Sequence, residues 1–251
     1  MWHSCASVEL GHNGHQKTSW LEQELQLSDE KPLRIALIGM SGAGKSYWTQ
    51  RVAAAGYPAI SCDALIEKKL QPVLQAGGFS GINGVAAWMG WPDSQTYAER
   101  EAQYLAEETE SLDELLTQLQ KQAERSLILD TTGSIIYTGN HLLYRLRKLM
   151  TVVYLAASAD EQQLLIRRYL EDPKPVLWRG AFQSRAGETP HQTVARCYPQ
   201  LIVGRRQSYE ALAHCVLPVA DLRGLSLRSE SAGSIGEGFL DKVRKQMAHG
   251  A

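Results

Sequence analysis

Nothing in this sequence offers a helix that could cross a membrane: no run approaches the roughly 20 consecutive apolar residues a bilayer demands. The N-terminal stretch lacks a basic segment followed by an apolar one, so it does not read as a secretory signal. It is also poor in arginine, which argues against an organellar transit peptide. Cysteine is sparse. Cys5, Cys62, Cys197 and Cys215 are scattered without a CxxC spacing, so neither a disulfide framework nor a zinc site is suggested. A reduced, cytoplasmic compartment is expected. A bulk charge of one sign is missing too: at a net charge of -1, nucleic acid and anionic membranes have no general electrostatic claim on the chain. His3, Cys5, His12 and His15 match no metal-site spacing and are expected to belong to a polar terminus.

What is present is sharp. The apolar run Leu33 to Ile38 leads directly into Gly39-Met40-Ser41-Gly42-Ala43-Gly44-Lys45-Ser46, after which Tyr47 to Ala55 is helix-compatible. This is GxxxxGK[ST] between a strand and a helix, the setting a phosphate-binding loop requires. Its glycines let consecutive backbone N–H groups turn toward a phosphate, and the helix N-terminus adds positive potential at the same spot. Gly39, Ser41, Gly42, Ala43, Gly44, Lys45, Ser46 and Tyr47 are therefore expected around the phosphates of a nucleoside triphosphate. Lys45 would reach the β- and γ-phosphates and Ser46 would ligate Mg²⁺.

The rest of the chain suits one α/β domain over 32–220 between appendages at 1–31 and 221–251. Residues 19–27 could form a short amphipathic helix. A short strand at Ala59-Ile60-Ser61 delivers Asp63 to its carboxyl end, where ligands of open α/β sheets bind, and a helix follows over Ala64 to Gln71. Asp63 could equally be that helix's N-cap. Residues 75–125 read as an acceptor-side insertion: a glycine-rich stretch carrying Trp88 and Trp91, more simply local core than a substrate platform, then one or two long helices. The acidic run Glu107-Glu108-Thr109-Glu110 reads as a solvated face. Leu127-Ile128-Leu129-Asp130 is an apolar strand closing on an aspartate that would help hold the magnesium shell. Strands are also expected at Thr151 to Leu155 and Cys215 to Val219, with helices over 161–170 and 201–212 and a small docking helix over 239–247. Between 171 and 190, prolines inside a basic segment suggest a lid, with Lys174 or Arg179 covering the transferring phosphoryl.

From about Leu33 to Pro218 the layout resembles the shikimate kinase family of P-loop small-molecule kinases. The loop GMSGAGKS matches strongly. Cys62-Asp63-Ala64-Leu65-Ile66-Glu67 is similar to the second half of that family's DxDxxIE stretch, and Asp130 to Ile135 lies over its TGGGSV. Lys174-Pro175-Val176-Leu177 lies over its RPLL lid, and Arg205, four residues before Tyr209, over its RxPxY-like stretch. The resemblance implies a P-loop NTPase three-layer fold with a five-stranded parallel sheet, ATP and Mg²⁺ as cofactors, and phosphoryl transfer to a hydroxyl. It further implies Arg167 packed on adenine, Asp63 and Gly133 at the acceptor, and Arg205 anchoring it. Lys45, Asp63 and Lys174 would be the catalytic set.

The departures fall on the acceptor side. The first aspartate of DxD is Ser61, the arginine of the FRxxE segment is Ala98 with Arg100 two residues on, the triple glycine is Thr131-Thr132-Gly133, and the lid arginine is Lys174. Unpaired buried polar groups cost about 1–3 kcal/mol each, so these changes point to a small anionic or polyhydroxy acceptor other than shikimate. The alternatives are an ATP-binding regulatory or assembly protein that has lost catalysis, and a nucleic-acid kinase, which the near-neutral charge disfavours.

Overall fold

The computed structural model describes residues 32–171, 174–227 and 230–249. The terminal helix expected over 19–27 and the candidate ligands His3, Cys5, His12 and His15 lie outside the described residues. From residue 33 on, the described residues form one compact unit.

Alternating sheet and helix segments follow the chain. Strand β1 (Arg34–Ile38) enters the phosphate loop and helix α1 (Lys45–Ala54); β2 (Ala59–Ser61) runs straight into α2 (Cys62–Ala76). Two further helices, α3 (Gly81–Met89) and α4 (Tyr97–Lys121), lie between α2 and the next strand. Next come β3 (Leu127–Asp130), a 3₁₀ turn at Ile135–Tyr137, α5 (Asn140–Leu149), β4 (Thr151–Ala156) and α6 (Ala159–Glu171). The chain continues through α7 (Pro190–Leu212), β5 (Cys215–Pro218), α8 (Val219–Ser226) and α9 (Ala232–His249). All pairings are parallel in the order β2-β3-β1-β4-β5, with Leu37 opposite Asp130 and Val153. The loop after β1 and the aspartate ending β3 thus lie side by side at the carboxyl edge.

The central strands are apolar on both faces, as a parallel sheet covered by helices requires. Ala36, Ile38, Leu129 and Val152 face a core shared with α2, α4, α5 and α7. Ile35, Leu37, Ile128 and Val153 face a second core built from α1, α8 and α9. From the stretch expected as an appendage, Leu222, Leu225, Ile235, Phe239, Leu240 and Val243 pack in this second core. Phe239 of α9 stacks on Trp48 of α1 with ring centroids 5.0 Å apart and planes 17° apart. A Cβ on Gly236 would lie 2.2 Å from the Arg51 carbonyl oxygen, so only glycine lets α9 settle this closely on the helix that follows the phosphate loop.

Two helices overrun their expected limits. The α2 helix continues through Pro72 and α7 begins eleven residues before Leu201, passing Pro199. The proline ring leaves the carbonyls of Lys68 and Ala195 without a helical donor, and both residues are exposed, so water can replace the missing bond. A capping box between Thr189 and Gln192 fixes the start of α7.

Candidate functional site

At the carboxyl edge of the sheet the backbone of residues 39–44 curls tightly. Gly39, Gly42 and Gly44 have φ of 140°, 81° and 97°, and a Cβ on Gly39 would come within 2.9 Å of the Leu155 carbonyl oxygen. The Lys45 ammonium is buried and donates to the carbonyls of Gly39, at 2.9 Å, and Met40, at 3.1 Å, so it lies folded across its own loop. Burial lowers its pKa, and the negative charges of Asp130 and Asp63 oppose that shift.

A cavity of about 690 Å³ opens beside this loop. Ser41, Gly42, Lys45, Ser46, Asp63, Asp130, Gly133 and Lys174 all line it. The structure therefore gathers most of the residues named from the sequence into one space. Gly39, Ala43, Gly44 and Tyr47 shape the loop without lining the cavity; Tyr47 packs edge-on to Trp48 and under the Arg51 guanidinium.

Asp63 sits in the first turn of α2 without capping it. The cap is Ser61, whose hydroxyl accepts from the Ala64 N–H at 3.3 Å. The Asp63 carboxylate instead accepts a hydrogen bond from the Tyr104 hydroxyl at 3.1 Å. Burial raises its pKa while Lys45 pulls the other way. Asp130 is likewise raised by burial, against Lys45 and a hydrogen bond from Ser46. Its Oδ1 is buried without a partner. An orphaned carboxylate oxygen beside the Ser46 hydroxyl fits a hard cation completed by phosphate oxygens and water. No larger group of His, Cys, Asp or Glu suited to a metal exists among the described residues.

Three residues sit differently from where their sequence patterns suggested. Arg167 is exposed and lies outside the cavity; the next residue, Arg168, lines it and donates to the Gly42 carbonyl at 3.3 Å. Arg205 is only 2 % exposed and also lies outside the cavity lining. Its guanidinium donates to the Gly133 carbonyl at 3.0 Å, to the Leu177 carbonyl and to the Tyr137 hydroxyl, and so ties the turn after β3 to the lid segment. Glu108, read as part of a solvated face, is 1 % exposed. The hydroxyls of Thr132 and Ser134 donate to its two oxygens, the latter at 2.6 Å. Burial pushes its pKa up to about 7 against those hydrogen bonds.

The segment expected to act as a lid is held by its buried middle. Val176, Leu177 and Trp178 are in the core, and the Tyr97 hydroxyl donates to the Val176 carbonyl at 2.8 Å. Lys174 reaches across to Asn83 of α3. Arg179 is exposed and lines a separate cleft with Tyr137 and His141, so of the two candidate lid cations only Lys174 faces the main cavity. Of the two tryptophans, Trp88 is buried and Trp91 is partly buried against the same core.

Sequence reasoning overlooked Tyr104, Glu108 and Arg168. Spacing alone could have found Glu108, because it continues the buried stripe Glu101, Tyr104, Ser111 and Leu115 along α4.

No family model and no curated protein matches the chain. Solved structures do. A shikimate kinase from Acinetobacter baumannii, in complex with shikimate, aligns at a TM-score of 0.54 and 23% identity over 86% of this chain and 95% of its own. A shikimate kinase from Bacteroides thetaiotaomicron aligns at 0.52 and 17%, over 84% and 98%. At such identities the likeness speaks for architecture. The chain has a shikimate kinase-like P-loop α/β fold, with a five-stranded parallel sheet that carries the phosphate loop and Asp130 on one edge.

Proposed function

We propose that this protein is an ATP-dependent kinase that phosphorylates a hydroxyl of a small molecule. The observation that carries the reading is the meeting of Lys45, Asp130 and the uncapped carboxylate of Asp63 in one cavity. Phosphoryl transfer needs positioned charges at the phosphates and a group to take the acceptor proton, and little else from the protein.

The amides of the loop would hold the phosphates, and Lys45 would leave the carbonyls of Gly39 and Met40 for the β- and γ-phosphate oxygens. Ser46 and Asp130 would hold Mg²⁺, which when bound neutralises phosphate charge. Arg168 and Leu165, beside Gly42, would flank the nucleotide on the α6 side. Tyr104 keeps Asp63 Oδ1 occupied, which leaves Oδ2 to accept the proton of the attacking hydroxyl. Lys174 would close over the transferring group from the lid.

A calorimetric titration of Mg-ATP followed by a coupled ADP-release assay across small alcohols tests this. Acceptor-dependent ADP release supports the kinase. Failure to bind Mg-ATP sinks it. A second reading, a nucleotide-binding protein without turnover, is favoured by the complete engagement of Arg205 in the fold. Tight Mg-ATP binding with no release for any acceptor would select it.

A further inference from the structure

A second cavity, of about 280 Å³, adjoins the main one. The two share Tyr169, Lys174 and Pro175 in their walls, so the lid segment roofs both. The second is lined chiefly by Ala86, Ala87, Met89, Trp91, Tyr97 and Val176. The Tyr97 hydroxyl does not turn this wall polar: it is taken up by the Val176 carbonyl, the Glu101 carboxylate and the Trp178 N–H. Polar groups gather at the shared mouth, where Lys174 meets Asn83.

Two arginines that could hold an anionic acceptor are committed elsewhere, and the cation that does line the annex, Lys174, sits at its mouth beside Asn83 rather than along its apolar walls. Arg205 serves the Gly133 and Leu177 carbonyls, Arg100 donates to the Trp88 carbonyl, and position 98 carries an exposed alanine. A carboxylate or polyol pushed into the annex would leave buried polar groups unpaired. An uncharged ring would not, and a cavity of roughly 150 Å³ is already enough for benzene.

We propose that the acceptor is an alcohol with an uncharged ring or branched alkyl body, which fills this annex while its hydroxyl meets Asp63. The role of acceptor rests on the kinase reading above, whereas the annex as a binding site for such a body stands without it. Its chemistry is that of most small-molecule pockets: apolar walls with a few polar groups at one end to set orientation. Ala86 and Ala87, on α3, set how much of the annex is open.

The test titrates benzyl alcohol and, in parallel, glycerol and gluconate into the full chain, with and without Mg-ADP, followed by NMR of the Ala86, Met89 and Val176 methyl groups. Saturable shifts at those methyls with benzyl alcohol in about the millimolar range, and none with glycerol or gluconate, are expected. Ala87→Phe and Ala86→Leu, at an exposed and a half-buried position, should weaken benzyl alcohol at least tenfold while Mg-ATP affinity stays within twofold. No saturable shift with benzyl alcohol, equal binding of the polyols, or indifference to both substitutions would overturn the inference. Because binding is scored without turnover, loss of the kinase reading shows separately, as absent Mg-ATP binding or ADP release.

Discussion

The Ser134 hydroxyl donates to Glu108 Oε2 at 2.6 Å, in the turn where Thr131 and Thr132 stand over two glycines of the resembled family. Thr132 completes the grip on the other carboxylate oxygen. A long acidic side chain from α4 thereby meets two hydroxyls on the rim of β3. With its pKa raised from 4.5 to about 7, Glu108 binds its proton more tightly folded than unfolded. The contribution of Glu108 to stability is then greatest below about pH 4.5, falls as pH rises through that window and levels off above 7. Glu108→Gln should therefore be neutral near pH 4 and stabilising at pH 8, by up to about 3 kcal/mol. Urea midpoints at the two pH values check this; equal shifts at both would show that ionisation of Glu108 costs the fold nothing.

That cluster also marks the limit of what could be read ahead of the structure. The loop and the strand ending in Asp130 were legible because each is written in consecutive residues whose backbone geometry is local. The pairing of Glu108 was not: helical spacing could reveal its inward face, but its partners lie over twenty positions on, in another element. The same holds for Arg205. An arginine before a tyrosine looks available for a ligand, and only the packed α7 shows that carbonyls of the lid and of the β3 turn already use it. Pro72 and Pro199 misplaced helix ends because exposure of the carbonyl one turn earlier, which makes a helical proline tolerable, is a tertiary property.

Lys45→Ala removes the cation that bridges the loop carbonyls and faces Asp130. Mg-ATP affinity should drop at least about a hundredfold, since removing a charge-assisted hydrogen bond to phosphate from a buried site costs roughly 3 kcal/mol. Calorimetry reads it directly, and unchanged affinity would remove the phosphate-loop assignment.

Asp63→Asn should lower kcat by about 10²–10⁴ with Mg-ATP affinity unchanged, if Asp63 takes the acceptor proton. Tyr104→Phe gives a subtler signature. The Tyr104 hydrogen bond holds the Asp63 pKa down, so its loss should move the acid limb of the kcat profile to higher pH. A limb that stays in place would mean that Tyr104 only packs.

Arg205→Met strands the Leu177 carbonyl and leaves the Gly133 carbonyl to the Tyr209 hydroxyl alone. A loss of about 1–3 kcal/mol is expected for the stranded carbonyl, with a lower denaturation midpoint. A stable variant that had merely lost affinity for an anionic acceptor would return Arg205 to the role first expected of it.

The stacking of Phe239 on Trp48 bears on the order in which this protein can be made. The phosphate loop and α1 leave the ribosome early, whereas α9, which shields the far side of α1, is the last described helix to emerge. Until it does, Trp48 and Val52 have no Phe239 or Leu240 to cover them. A nascent or truncated chain that stops before 232 presents that apolar face to solvent, an invitation to chaperones or to self-association. The helix that follows the phosphate loop thus gains its apolar cover only from a segment nearly two hundred positions later.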